Sequence, residues 1–400
     1  MSMRYIGGVI SATAPTTSSS VATGVWTTRQ QLQAIAGSGW PSPPIFIAGA
    51  QANVATLQLQ RSSVATLSAS SFVYAYIGYN TGAGTANLYA VVATISGTTI
   101  TFGTPVTIRS DLSPQGVYCC ALSSTSVLVT YGDTSSQWSG KALSISGTTI
   151  TAGSETSISG VYTSAVMCVA LTSTTAFCMN NTGTSGRIAT ISGTTITWGS
   201  PTTLATSGSN YPTPTFLSST AVLFAYNPYG GANAGKLVAK VATISGTTIT
   251  AGTETVLDAS PSGDPLSIVA VTSTSAIAAY GASTTAYLKS VGMTISGTTI
   301  TVGTPVTLTS YGVGFDNYDA GPGGAAINST QAFFTTLVNS SYVLQGQILT
   351  ISGTTVTSSI TGTILSTTSR NPTVTYLGSS KLAVGYGDST TNISAKVLTL

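Results

Sequence analysis

The chain contains no histidine, and only 5% of its 400 residues are charged, twelve basic and nine acidic. Ordinary globular proteins carry roughly 25% charge. Without histidine, no side chain has an unperturbed pKa between about 5 and 8. A general base near neutrality would have to be a strongly shifted carboxylate or lysine. The net charge of +3 gives no electrostatic case for nucleic acid. No apolar run approaches the roughly 18–20 residues of a membrane span, so no membrane insertion is expected. Met1 to Ile10 lacks a basic region followed by a long apolar core, and no secretory signal peptide is expected. The four cysteines do not form a disulfide framework, and with no histidine and no CxxC pair no zinc site is expected. Cys119 and Cys120 are adjacent, so on a strand they point to opposite faces. Cys168 and Cys178 flank one hairpin, either as small buried hydrophobes or as a bridged pair.

What fills the space is Ser, Thr, Gly and Ala, arranged around one phrase. Ile-Ser-Gly-Thr-Thr-Ile-Thr begins at Ile95, Ile145, Ile191, Ile244 and Ile295, with a Val variant at Ile351 and a truncated copy ending at Leu400. A period of about 50 residues built from short strands signals a repeat architecture. Apolar and small polar residues alternate on both sides of each phrase, the mark of half-buried strands. The Ser-Gly between them signals a tight hairpin. An upstream pair, such as 117–122 and 126–132, completes four strands, a to d, with the phrase at the c–d hairpin. Four antiparallel strands at this period are one blade of a β-propeller, and seven copies predict seven blades.

Strand d has its own template: Ile, Gly three residues on, then Ile or Leu five further on, as in Ile100, Gly103 and Ile108. The last repeat stops before its d strand, yet Phe46, Gly49 and Val54 fit the template. The expected fold is therefore an all-β, seven-bladed propeller over 45–400. An N-terminal outer strand at about 45–54 closes its ring, which removes an open edge.

Residues 1–44 stand outside the repeat. Thr28 could cap a short helix from Arg29 to Ile35. The apolar side chains Tyr5, Ile6, Val9, Ile10, Val25, Trp26 and Trp40 are expected to bury against something else, as an anchoring tail. The wording from Tyr5 to Thr16, then Gly24-Val25-Trp26-Thr27, Gln30 to Ala34 and Gly39-Trp40-Pro41, resembles the N-terminal segment shared by tailed-phage structural proteins, marine phages especially. That resemblance covers about 40 residues. It implies a common attachment peptide docking to other virion proteins, a virion location after assembly in the host cytoplasm, and a tail- or head-fibre appendage. A homo-oligomer, in analogy a trimer, is usual for a fibre.

In a four-stranded blade the a–b and c–d turns share one face of the ring, and the b–c and d–a loops share the other. The first set is nearly uniform. The second holds Arg109, Asp111, Tyr211, Asp258, Asp264, Asp316, Tyr318, Asp319 and Arg370 in d–a loops, and Asp133, Trp138, Tyr229 and Asp388 in b–c loops. Loop diversity on a regular scaffold is where binding usually sits. Tyr and Trp beside carboxylates suit sugar recognition, by stacking and by hydroxyl bonding. The plainer alternative is that residues such as Asp133 and Asp388 close Asx-turns. Glu155 and Glu254, on strand d, are expected to guard an exposed edge. Asp316, Asn317 and Asp319 offer oxygen ligands of the kind Ca²⁺ takes, but in no defined calcium-loop spacing, so no cofactor is expected. Asp258 with Asp264, or Asp316 with Asp319, are the carboxylate pairs a glycan-cleaving enzyme would need. No catalytic residue is assigned. Three functions stay open: a virion appendage binding host-surface glycan, a decoration protein without a receptor, and a polysaccharide hydrolase or lyase.

Overall fold

The computed structural model describes residues 16–17, 22–23, 46–80, 82–112, 116–132, 137–163, 165–182, 184–205, 207–259, 266–282, 287–308, 323–338, 342–359, 361–388 and 392–400. The chain forms two compact units, Met1–Ile45 and Phe46–Leu400. In the first, Thr16–Thr17 pairs antiparallel with Ala22–Thr23. The helix expected over 29–35 and the seven anchoring side chains lie outside the described residues.

The second unit is a seven-bladed β-propeller, and its described residues contain no helix. Blade 1 runs Gln58–Ser68, Ser71–Asn80, Thr85–Ser96 and Thr99–Phe102 as strands a to d. Blades 2 to 6 repeat this order, with c strands at Gln137–Ser146, Ser185–Ser192, Leu237–Ser245, Tyr287–Ser296 and Val343–Ser352. Blade 7 takes strand a from the long Gly362–Gly378, b from Lys381–Asp388 and c from Asn392–Thr399. Its d strand is Ile47–Ala48 and Ala52–Ala55, with Ile47 opposite Thr399 and Ala52 opposite Ala395. Strand a of each blade packs on strand a of the next, and the seventh returns to the first. The ring is closed by the N-terminal strand, as the template predicts.

The phrase does two jobs in blades 1 to 6. Its glycine takes a left-handed φ of 59–61° at Gly97, Gly147, Gly193, Gly246, Gly297 and Gly353. The following Thr keeps a negative φ, which makes the turn type II′ and suits hairpin twist. Its first residue donates its N–H to the a–b turn of the same blade, at 2.8 Å in all seven cases from Ile95 to Leu400. This bond shows that both turn sets share one end of the ring. Strand d then bends at one residue whose N–H reaches a c-strand carbonyl: Gly49, Gly103, Gly153, Gly199, Gly252, Gly303 and Ser359, at 2.8–2.9 Å.

The core lies in the seams between blades. In the first seam, Val73, Leu88, Val92 and Ile108 of blade 1 meet Val117, Val127, Tyr131 and Leu143 of blade 2. Burying each such side chain contributes about 1.5–3 kcal/mol. All four cysteines are unbridged and buried. Cys119 faces blade 1 through Ser63, while Cys120 packs with Cys168 and Cys178 in the next seam. Burial pushes the Cys119 thiol up to about 12, so it behaves as a small hydrophobe.

Candidate functional site

Among the described residues, the candidate carboxylates Asp258 and Asp388 stand in different blades rather than in one site. Each of the four acidic side chains described lies in or beside a blade seam. Glu155, on blade 2, pairs with Arg109 of blade 1 and accepts the Tyr131 hydroxyl at 2.6 Å. Burial alone would raise the Glu155 carboxyl; the hydrogen bonds from Arg109 and Tyr131, with the charges of Arg109 and Lys141, outweigh it and hold it below the usual range. Glu254 accepts the Tyr226 hydroxyl and the Asn233 amide, the latter at 2.6 Å. Asp258, on blade 4, accepts from Tyr280 at 2.8 Å and Lys289 at 3.3 Å, both on blade 5. Asp388 accepts from Gln51 and, at 3.3 Å, from Ser394. Glu155 and Glu254 therefore do not guard an outer edge, because buried phenols draw them inward. Asp258 is committed to the adjoining blade.

The pattern has a chemical cause. Besides Tyr76 of blade 1, which stacks on Tyr89, strand b places a tyrosine at its fifth core position in blades 2, 4, 5 and 7, namely Tyr131, Tyr226, Tyr280 and Tyr386. Each is essentially buried, and a buried phenol hydroxyl needs an acceptor. Strand d supplies one: Glu155, Glu254, Asp258 and the Gln51 amide oxygen. Lysines on strand c then reach the preceding blade's d strand, Lys141 to the Ile108 carbonyl at 2.6 Å, Lys240 to Leu204 at 2.9 Å and Lys396 to Ile364 at 3.1 Å. Among the described charges, Glu155 with Arg109, Asp258 with Lys289, and these three lysines fasten adjoining blades to one another.

Trp138 is a second correction. It is not a loop residue but the second residue of strand c in blade 2, fully buried, with its ring edge-on to Trp198 at 5.7 Å. The signal was present in the sequence. Seven residues before the first residue of the phrase stand Leu88, Leu237, Leu288, Leu344 and Ile393 in other blades, all buried. Trp138 fills that same core position.

Arg370 is half-buried on Gly362–Gly378, opposite Gly387. Asp111 and Tyr211 lie in strands Val106–Leu112 and Ser209–Ser218. Asp133, Asp264, Asp316, Tyr318 and Asp319, which include the Asp316–Asp319 pair, the partner proposed for Asp258 and the calcium candidates, lie outside the described residues.

Among the described candidates, Tyr229 stands on the surface, 64% exposed, in the b–c loop of blade 4. Its N–H donates to the Gly208 carbonyl at 2.8 Å, in the loop entering the blade. Its ring lies so close over Gly208 that a β-carbon there would meet Cδ2 at 3.3 Å. Ser207 adds a bond to the Gly230 carbonyl at 3.1 Å. The two loops thus hold an aromatic ring in place with one side in water.

No protein-family model matches the chain, and no curated protein matches it in sequence. Its backbone is similar to several solved propellers. The BP39L lectin from Burkholderia pseudomallei superposes with a TM-score of 0.62 at 11% identity, covering 84% of this chain and 94% of the lectin. The WD40 domain of Toxoplasma gondii coronin gives 0.55 at 6% identity, covering 88% and 86%. The periplasmic gluconolactonase of Pseudomonas aeruginosa gives 0.50 at 10% identity, covering 77% and 86%. At such identities the likeness speaks to the fold alone.

Proposed function

We propose that this chain is a non-catalytic attachment protein of a virus particle, a fibre or appendage that binds host-surface glycan. Residues 1–44 dock to other virion proteins, and the propeller presents its varied loop face outward. The tail rests on its resemblance to phage attachment segments. The observation that carries the binding reading is Tyr229, an exposed ring propped on Gly208 by two backbone-locked loops. Such a ring stacks on the apolar face of a sugar while neighbouring polar groups meet its hydroxyls. The opposite face is built of near-identical small-residue turns. The presence of a lectin among similar propellers is consistent with this reading.

The test uses the full-length chain on a glycan array and on candidate host cells. Retention that falls at least about tenfold in Tyr229→Ala, about 1.4 kcal/mol, supports the reading and fixes the face. Absence of retention on any surface would overturn it in favour of a decoration protein. Release of reducing sugar from a bound polysaccharide would replace it with a glycan-cleaving enzyme.

A further inference from the structure

Three of the four described acidic side chains lie beside a cation: Glu155 by Arg109, Glu254 by Lys240 and Asp258 by Lys289. Asp388 has no such partner among the described residues. Its Oδ2 accepts from Gln51 and Ser394, while its Oδ1 is out of water and accepts from nothing. Directly opposite Asp388, across the a–b pair of blade 7, stands Ser369. Ser369 is fully buried, and its Oγ has no partner either. Directly opposed residues send their side chains to the same face, with β-carbons about 4.5–5.5 Å apart. Two unpartnered oxygens so placed, one of them anionic, are costly unless something lies between them.

A water molecule would satisfy the hydroxyl but leave the carboxylate charge uncompensated. A hard cation satisfies both, because it takes carboxylate, hydroxyl and water oxygens together. We propose that blade 7 holds a divalent cation of the Ca²⁺ type, with Asp388 Oδ1 and Ser369 Oγ as its protein ligands and water completing the shell. The place gives the ion a task. The other oxygen of Asp388 holds Gln51 of the closing strand, and Gln51 also accepts the Tyr386 hydroxyl at 3.2 Å. An ion that fixes Asp388 therefore fixes the strand that closes the ring. With two protein oxygens, affinity belongs in the weak range of about 10⁻⁴–10⁻³ M.

The full-length chain, stripped with a chelator and then titrated with CaCl₂ or MgCl₂, tests this by thermal unfolding. Tyrosine-sensitised Tb³⁺ luminescence reports binding directly. About 10 mM Ca²⁺, above the weaker end of that range, should raise Tm saturably by roughly 2 °C. Ser369→Ala removes only an unpartnered hydroxyl and should fold; it is expected to weaken the Ca²⁺ midpoint at least about tenfold, about 1.4 kcal/mol. Asp388→Asn should abolish both signals. No Tm rise and no luminescence would mean that the pair holds water only, and the proposal falls. A rise unchanged in both variants would put the ion elsewhere and also overturn it.

Discussion

Gly303 and Thr354 meet across the seam between blades 5 and 6 with no room for a side chain between them: a β-carbon on Gly303 would lie 2.1 Å from the Thr354 carbonyl oxygen. The same bend glycine meets the first Thr of the next blade's phrase at Gly49 and Thr98, Gly103 and Thr148, Gly153 and Thr194, Gly199 and Thr247, and Gly252 and Thr298. None of these bend glycines has a left-handed φ, so space is the constraint. Ser359 is the seventh bend and the exception. The blade that follows it, blade 7, has no Ser-Gly-Thr-Thr turn, because its c and d strands come from distant parts of the sequence. Where the turn is missing, a side chain is tolerated.

Gly303→Ala and Gly153→Ala should therefore destabilise the ring by about 1–3 kcal/mol through overpacking. Gly199→Ala, whose nearest contact would be 3.2 Å, should cost least. Urea unfolding midpoints of the three variants give the order directly.

Trp138→Ala should cost about 3–5 kcal/mol, as a buried aromatic leaves a cavity. Tyr229→Ala should stay within about 0.5 kcal/mol of the parent chain, as exposed substitutions do. Chemical denaturation separates the two, and equal losses would contradict the placement of these rings.

Tyr280→Phe removes a hydroxyl that blade 5 donates to Asp258 of blade 4. A loss of about 1–3 kcal/mol is expected, because the carboxylate stays where it is with one donor fewer. Thermal unfolding of the variant measures it.

Stability should be flat from about pH 5 to about pH 9, since the chain has no histidine to titrate there. On the acid side, Glu155 is held below its ordinary value of 4.5. Its contribution is present above that value and is lost as pH falls through the depressed folded one. On the alkaline side, burial first, then the neighbouring carboxylate, raises Tyr226 and Tyr280 well above 10. Their contribution is complete below pH 10 and is lost as pH rises beyond it. Denaturation across pH 3–12 should trace a plateau with two falling shoulders, and a step near pH 6.5 would contradict it.

Removing residues 1–45 should leave the propeller's cooperative unfolding intact, whereas removing 1–55 should not. The longer deletion strips the Asn392–Thr399 strand of its partner and exposes an unpaired edge prone to aggregation. Calorimetry and light scattering of the two truncations check the difference.

The fold was legible because it repeats. Seven copies average out local ambiguity, so the strand template could place Phe46, Gly49 and Val54 in blade 7 although their partners lie at the other end of the sequence. The seams were not legible in the same way. Whether Asp258 faces solvent or the adjoining blade depends on Tyr280 and Lys289, which no local spacing links to it. Trp138 was misplaced for another reason: its aromatic character suggested binding, whereas its offset from the phrase, shared with Leu237 and Leu344, assigned it to the core. Tyr229 was legible as a candidate, but its support from Gly208 required the two loops to meet in space.

Gln51 and Ser394 touch although they are 343 positions apart. A ribosome adding about 5–20 residues each second releases the first of them on the order of tens of seconds before the second. Throughout that interval the outer strand of the last blade exists without its mate, while six other blades can form behind it. Ring completion thus waits until the strand that carries Ser394 has been made. Until it occurs, the free strand is open to capture by another nascent copy, so crowded polysomes would favour interlocked dimers over closed monomers.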